Sequence, residues 1–187
     1  TVGVLGTGKI GRVFAELMRG FGCRVLLYDK FPSTGMEDKG YPYVDLSTLL
    51  KESDILSLHV PLLPETAQII NSGTLKMMKD GAMLINTSRG GLINTEHALQ
   101  ALRNRKLGYL GIDVYEQEEG VFFQNLQEQI IDDNTLALLM AFPNVMVTAH
   151  QAFFTREALD EITRTTLQNI EDFSKGRDNE NRVALPE

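Results

Sequence analysis

Val2-Gly3-Val4-Leu5-Gly6-Thr7-Gly8-Lys9-Ile10-Gly11 opens the chain and reads as a strand that breaks into a glycine-rich turn and then a helix. Val2 to Leu5 is the apolar strand. Gly6 turns the chain tightly, Gly8 lets a pyrophosphate approach the backbone, and Gly11 lets the helix pack closely on the strand. The helix N-terminus offers phosphate its unpaired N–H groups and the positive end of the macrodipole. Val13, Phe14, Leu17 and Met18 continue the helix with apolar periodicity, and Gly20 with Gly22 closes it. The next strand, Arg24 to Tyr28, delivers Asp29 where the adenosine ribose of a dinucleotide belongs. A carboxylate there accepts from both ribose hydroxyls and repels a 2'-phosphate, so the pattern selects NAD over NADP, with Lys30 acting against that preference.

Composition narrows the partners. The 187 residues carry a formal charge of -7 with no compensating basic stripe, which argues against nucleic acid or an anionic membrane surface and favours a small-molecule ligand. No apolar run has transmembrane length. The single cysteine, Cys23, cannot build a disulfide framework and fits a reducing, cytoplasmic setting. Thr1 enters a strand with no lead-in, so a fragment is expected, with any targeting peptide out of view.

Strand-length apolar runs recur at Val2 to Leu5, Val25 to Tyr28, Ile55 to Leu58, Met83 to Ile85, Tyr109 to Ile112 and Val145 to Val147. Helical patterns lie between most of them: Lys9 to Arg19, Ser47 to Lys51, Ser72 to Met78, Thr95 to Arg105 behind the N-cap Asn94, and Leu136 to Met140. This alternation predicts an α/β fold, a doubly wound parallel sheet of the Rossmann type with six or more strands in three layers. Gln117 to Asn134 is long and polar apart from Val121, Phe122 and Phe123, and a loop of that length usually has a task. A last helix, about Thr155 to Lys175, carries Leu159, Ile162, Ile170 and Phe173 on one stripe. The expected division is a dinucleotide-binding domain over 1–153 and a crossover helix with tail over 154–187.

Ligands of an open parallel sheet bind beyond the carboxyl ends of its strands, and the chemically loaded residues gather there. In chain order they are the glycine loop, Asp29, His59-Val60-Pro61, Thr87-Ser88-Arg89-Gly90-Gly91, Asp113 with Glu118, and His150. Arg89, in a turn of small residues, offers a fork of donors that a substrate carboxylate can meet bidentately; a surface salt bridge is the alternative. His150 directly follows the last strand and suits proton exchange with a carbonyl oxygen. Taken alone it reads more readily as a histidine satisfied by backbone groups. Glu118, if its loop returns to the imidazole, would orient the ring and stabilise its charged form; by itself it reads as part of a solvated acidic turn. His59 is placed near the cofactor wall, His97 is structural, and Met77, Met78 and Met140 read as core fillers. No cluster has metal-ligand spacing, and no metal is expected.

Taken together, these motifs resemble the NAD-binding domain of the D-isomer-specific 2-hydroxyacid dehydrogenases across nearly the whole chain. The resemblance is carried by the glycine loop, Leu58-His59-Val60-Pro61-Leu62, Asn86-Thr87-Ser88-Arg89-Gly90-Gly91, Asp113-Val114-Tyr115-Glu116 and Ala149-His150-Gln151-Ala152-Phe153. The stretch from Val121-Phe122-Phe123 to Phe142-Pro143-Asn144-Val145, then His150 to Thr155, is most similar to the fermentative D-lactate dehydrogenases within that family. The resemblance implies that Arg89 binds the substrate carboxylate, His150 is the acid/base and Glu118 orients it. It also implies that Gly6, Gly8, Lys9, Ile10, Gly11, Asp29, Val60, Pro61, Thr66, Thr87, Ser88, Arg89 and Asp113 meet NAD, Asp113 near the nicotinamide amide. Reversible reduction of a small 2-oxo acid follows, pyruvate to D-lactate first, with D stereochemistry carried over from the family. A dehydrogenase for a bulkier 2-oxo acid such as 2-oxoisocaproate and a non-enzymatic, corepressor-like NAD sensor stay open as alternatives. Family members carry a substrate domain ahead of the glycine loop, so one wall of the cleft is expected to be missing here, and a homodimer formed through the cofactor domain is implied.

Overall fold

The computed structural model describes residues 1–118 and 133–183; Val121, Phe122 and Phe123 lie outside the described residues. It divides into two compact units, Thr1–His150 and Gln151–Glu187.

The first unit is built on six parallel strands, β1 (Val2–Leu5), β2 (Val25–Tyr28), β3 (Ile55–Leu58), β4 (Ala82–Asn86), β5 (Leu107–Ile112) and β6 (Val145–Val147). They lie in the order β2-β1-β3-β4-β5-β6. Tyr43 adds an isolated parallel bridge to Leu27 outside β2, so the third strand position of the first half is reduced to one residue pair. Helices α1 (Lys9–Gly20) and α2 (Thr34–Glu37) belong to that half. The second half contributes α3 (Leu46–Glu52), α4 (Ser72–Met77), α5 (Thr95–Arg103) and α6 (Asn134–Ala141). The chain winds one way from β1 to β2 and the other way from β3 onward, which places right-handed crossovers on opposite faces. The core divides accordingly. Val2, Val4, Val25 and Leu27 pack with Ala15, Met36 and Tyr41. On the other face Leu5, Leu26, Leu56, Leu58, Leu84, Leu110 and Ile112 pack with Leu49, Leu75, Leu99, Leu102 and Leu139. Each fully buried leucine contributes roughly 2 kcal/mol relative to exposure.

All six strands and the expected helices are present, and the additions are α2, a single turn too short to leave a periodic pattern, and a 3-10 turn at Gly90–Leu92. Packing sorts the apolar residues of α1 and corrects one expectation, at Met140. Along α1 the sheet-facing residues are Gly11, Ala15 and the half-buried Phe14 and Met18, while Ile10, Val13, Leu17 and Phe21 form an exposed outer stripe. Spacing of 3.6 residues per turn cannot carry Val13 and Leu17 on the same face as Gly11 and Ala15. Met140, expected in the core, is 63% exposed, whereas Met78 is buried and Met77 packs against the core.

In the second unit α7 (Arg156–Ser174) is capped by Thr155, whose hydroxyl accepts from Ala158 N, and ends before Gly176 at φ 64°. Leu159, Ile162, Ile170 and Phe173 are exposed. No helix among the described residues is long and apolar enough to cross a membrane.

Register is what positions the site. Tyr28, Leu5, Leu58, Asn86, Ile112 and Val147 stand side by side as one row across the sheet. The next residues in each strand, Asp29, Gly6, His59, Thr87, Asp113 and Thr148, therefore leave the sheet along one edge.

Candidate active site

At the switch point between β1 and β3 the glycine loop is held against the chain that follows β3. Gly6 has φ 102°, and a Cβ there would lie 2.6 Å from the His59 carbonyl carbon and oxygen. A Cβ on Gly11 would lie 2.0 Å from Gly6 O, so neither position admits a side chain. Gly8 is different: a Cβ there would meet nothing within 4 Å. It is the N-cap of α1, with no side-chain cap and no acidic residue in the first turn. The amide end of α1 thus opens, beside exposed Lys9 and Ile10, onto a space that suits a pyrophosphate.

Asp29, half-buried, accepts from Thr7 N at 2.6 Å and Thr7 Oγ1 at 2.9 Å on Oδ2, and from Phe31 N at 2.9 Å on Oδ1. Lys30, which could have favoured a 2'-phosphate, pairs instead with Glu65 at 3.2 Å. Across the cradle Thr66 Oγ1 donates to Pro61 O at 2.6 Å and accepts from Leu63 N at 2.8 Å, closing the turn after Val60 and Pro61. Ser88 Oγ donates to Val60 O at 2.7 Å, which ties the loop after β4 to that turn.

The chemistry-bearing side chains come from three neighbouring strands. Arg89 follows β4, Asp113 and Glu118 follow β5, and His150 follows β6. The outer two strands are about 10 Å apart, with β5 between them. His150 Nδ1 lies 3.1 Å from Glu118 Oε1. A carboxylate only accepts, so in this pair Nδ1 carries the hydrogen. Glu118 is itself held, accepting from Tyr115 N through Oε2 at 3.0 Å. His150 has φ 50°, a left-handed conformation more accessible to Asn, Asp and His than to most residues. Its N–H is within bonding distance of Asp113 O at 2.7 Å and Thr148 O at 3.0 Å, which fixes that conformation. Thr148 Oγ1 also donates to Asp113 Oδ1 at 2.5 Å. Arg89 is exposed, its Nη1 donating to Ser88 O at 2.7 Å, and Thr87 beside it is exposed as well.

The family model described as D-isomer specific 2-hydroxyacid dehydrogenase, NAD binding domain, matches residues 1–152. The chain belongs to this family. It is 48% identical over 176 residues to the D-lactate dehydrogenase of Escherichia coli K12, covering 94% of this chain and 54% of that protein. Among solved structures it resembles the pyruvate reductase of Chlamydomonas reinhardtii with a TM-score of 0.92 and 46% identity, over 96% of this chain and 55% of that one. The D-lactate dehydrogenase of Aquifex aeolicus, solved with NAD and lactic acid, matches with a TM-score of 0.87 and 38% identity, over 94% and 53%. The chain spans about half the length of the curated relatives it matches.

Two residues to which the sequence assigns no site role, Asn86 and Thr148, shape this edge of the sheet. Asn86, fully buried at the end of β4, accepts from Ser88 N at 3.1 Å and donates to Arg89 O at 2.9 Å, shaping the turn that presents Arg89. An Asn followed by a small polar residue two positions on is a turn signal legible in sequence. Thr148 depends on the β5–β6 register, which no local pattern reveals.

His59 stands beside the glycine loop, where a Cβ on Gly11 would lie 3.2 Å from the His59 Cβ. Its ring packs against Phe14 of α1 at 5.0 Å, with Nε2 2.9 Å from Ser57 Oγ. Burial holds its pKa down, from 6.5 to about 4. Between those values the unfolded chain binds more protons than the folded one, so the stabilisation is complete above about pH 6.5 and is lost as pH falls toward 4. In urea unfolding, His59→Gln is expected to remove on the order of 2 kcal/mol from the stability lost between pH 7 and pH 5. Equal losses in parent and variant would remove His59 as the cause. His97 sits in the first turn of α5 with Nδ1 buried and without a hydrogen-bond partner among the described residues, consistent with a packing role.

Proposed function

We propose that this chain binds NAD(H) and is the cofactor-binding half of a dehydrogenase that reversibly reduces pyruvate to D-lactate. The observation that carries the reading is the Glu118–His150 pair, 3.1 Å apart, on the same sheet edge as Arg89 and the open amide end of α1. Bound NADH supplies the hydride for the carbonyl carbon. Arg89 holds the substrate carboxylate by two parallel N–H bonds, which fixes the oxo acid's orientation and draws charge from its carbonyl. His150 gives its Nε2 proton to the carbonyl oxygen as the alcohol forms and recovers it in the reverse direction. Glu118 stabilises the charged imidazole and fixes the ring. Asp113, held by Thr148, stands next to His150 where the nicotinamide amide is expected.

The relatives' identities support pyruvate as the 2-oxo acid, and half of their length lies outside this chain. In this reading a substrate domain supplies the second wall of the cleft, so residues 1–187 alone bind NADH and turn over poorly, because an open site neither excludes water nor fixes pyruvate. The reading includes a homodimer and a cytoplasmic, reducing setting, which the lone Cys23 suits. The test is steady-state reduction of pyruvate and 2-oxoisocaproate by NADH in the full-length protein that carries this chain. A higher kcat/KM for pyruvate is expected. Failure to oxidise NADH with either acid would sink the assignment.

A further inference from the structure

Tyr43 stands at the vestigial third strand and reaches the adenosine end of the cradle. Its hydroxyl accepts from Ser33 N at 3.0 Å and donates to Thr7 Oγ1 at 2.9 Å; Thr7 Oγ1 in turn donates to Asp29 Oδ2 at 2.9 Å. The polarity of this relay is fixed at both ends. A backbone N–H only donates and a carboxylate only accepts, so the single proton of each hydroxyl is committed toward Asp29. With Thr7 N on Oδ2 and Phe31 N on Oδ1, the carboxylate receives three protein donors. Of its roughly four lone-pair sites, one remains, on Oδ1, where the sequence reading allotted it both ribose hydroxyls. That site takes a hydroxyl, which donates, and refuses a phosphate oxygen, which at neutral pH brings lone pairs and charge.

We propose that Tyr43 is a positioning residue for cofactor choice: acting through Thr7, its hydroxyl holds Asp29 in the orientation that accepts an adenosine ribose hydroxyl and excludes a ribose 2'-phosphate. Neither the glycine pattern nor the Asp29 position assigns it this role, since Tyr43 meets the glycine loop only through Thr7 Oγ1 and acts on Asp29 through that hydroxyl. The inference rests on the NAD reading of the cradle. Hydrogen-bond chains in a partly buried setting reinforce one another, so removing one end weakens the orientation of the other.

The experiment measures NADH and NADPH dissociation constants by nucleotide fluorescence on the 187-residue chain, for the parent, Tyr43→Phe, Thr7→Val and the double variant. Tyr43→Phe is expected to weaken NADH about three- to ten-fold, the range for one lost hydrogen bond, while NADPH affinity holds or improves. The double variant is expected to be no worse than Thr7→Val, because both substitutions cut the same relay. Equal weakening of both nucleotides, unchanged NADH affinity in Tyr43→Phe, or additive losses in the double variant would each overturn the proposal while leaving NAD binding intact. A parent chain that binds neither nucleotide would instead remove the NAD reading, and the role of Tyr43 with it.

Discussion

Replacing His150 with asparagine is expected to lower kcat for pyruvate reduction by about a thousand-fold, within the usual range for a lost general acid, with NADH affinity within two-fold of the parent. Asparagine is the informative substitution because position 150 has φ 50°, a conformation Asn adopts with little penalty and a β-branched residue resists. Fold and backbone contacts to Asp113 should then persist while the imidazole is gone. Glu118→Gln should cost less, roughly ten- to a hundred-fold, since an amide oxygen still accepts from Nδ1 but no longer stabilises a charged ring. Steady-state kinetics with full-length protein, beside fluorescence titration of NADH, separates the two effects. Unchanged kcat in His150→Asn would take the proton transfer away from this residue, and weakened NADH binding with unchanged kcat would make it a cofactor contact.

The second large effect belongs to Gly90. A Cβ there would lie 2.1 Å from the Tyr115 carbonyl carbon and oxygen and 2.6 Å from Glu116 N, so backbone meets backbone and no flexible side chain can give way. Gly90→Ala must push apart the turn that presents Arg89 and the turn that presents Glu118. A loss of about 3 kcal/mol in stability is expected, the upper part of the range for overpacking, along with a fall in kcat/KM for pyruvate larger than any change in NADH affinity. Gly91→Ala is the control. Its Cβ would meet only the Leu62 side chain, at 2.9 Å from Cδ2, and Leu62 is exposed enough to shift. Urea midpoints and kinetics of both variants decide the matter; alanine tolerated equally at 90 and 91 would mean that the contact with Tyr115 is not the constraint.

The architecture was legible because it is repetitive. Strands of a parallel sheet leave near-continuous apolar runs, and all six were readable in that way, as was the cap Asn94. The edge that collects Asp29, Arg89, Asp113 and His150 followed from parallel topology, in which every strand ends on the same side. Long-range partners were harder to read. The proximity of Glu118 to His150 required a loop to return, and what secures it in space, the left-handed turn at His150 and the Thr148–Asp113 bond, leaves no periodic trace. Side-chain direction was the other weak point. Neighbours in sequence do not orient His59 or Val13: the helical phase of α1 turns Val13 outward and brings Phe14 over the His59 ring.

The single bridge at Tyr43 also protects the sheet's margin. Leu27 N donates to Pro42 O and Leu27 O accepts from Val44 N, at 3.0 and 2.9 Å, so the outward-facing polar groups at the middle of β2 are already engaged. Pro42 has no amide hydrogen to offer a newcomer. An exposed strand margin can act as a template on which another polypeptide lays down a further strand, the first step of ordered aggregation. Two hydrogen bonds and one proline close that route along β2, where a fully formed seventh strand would only have moved the same vulnerability outward.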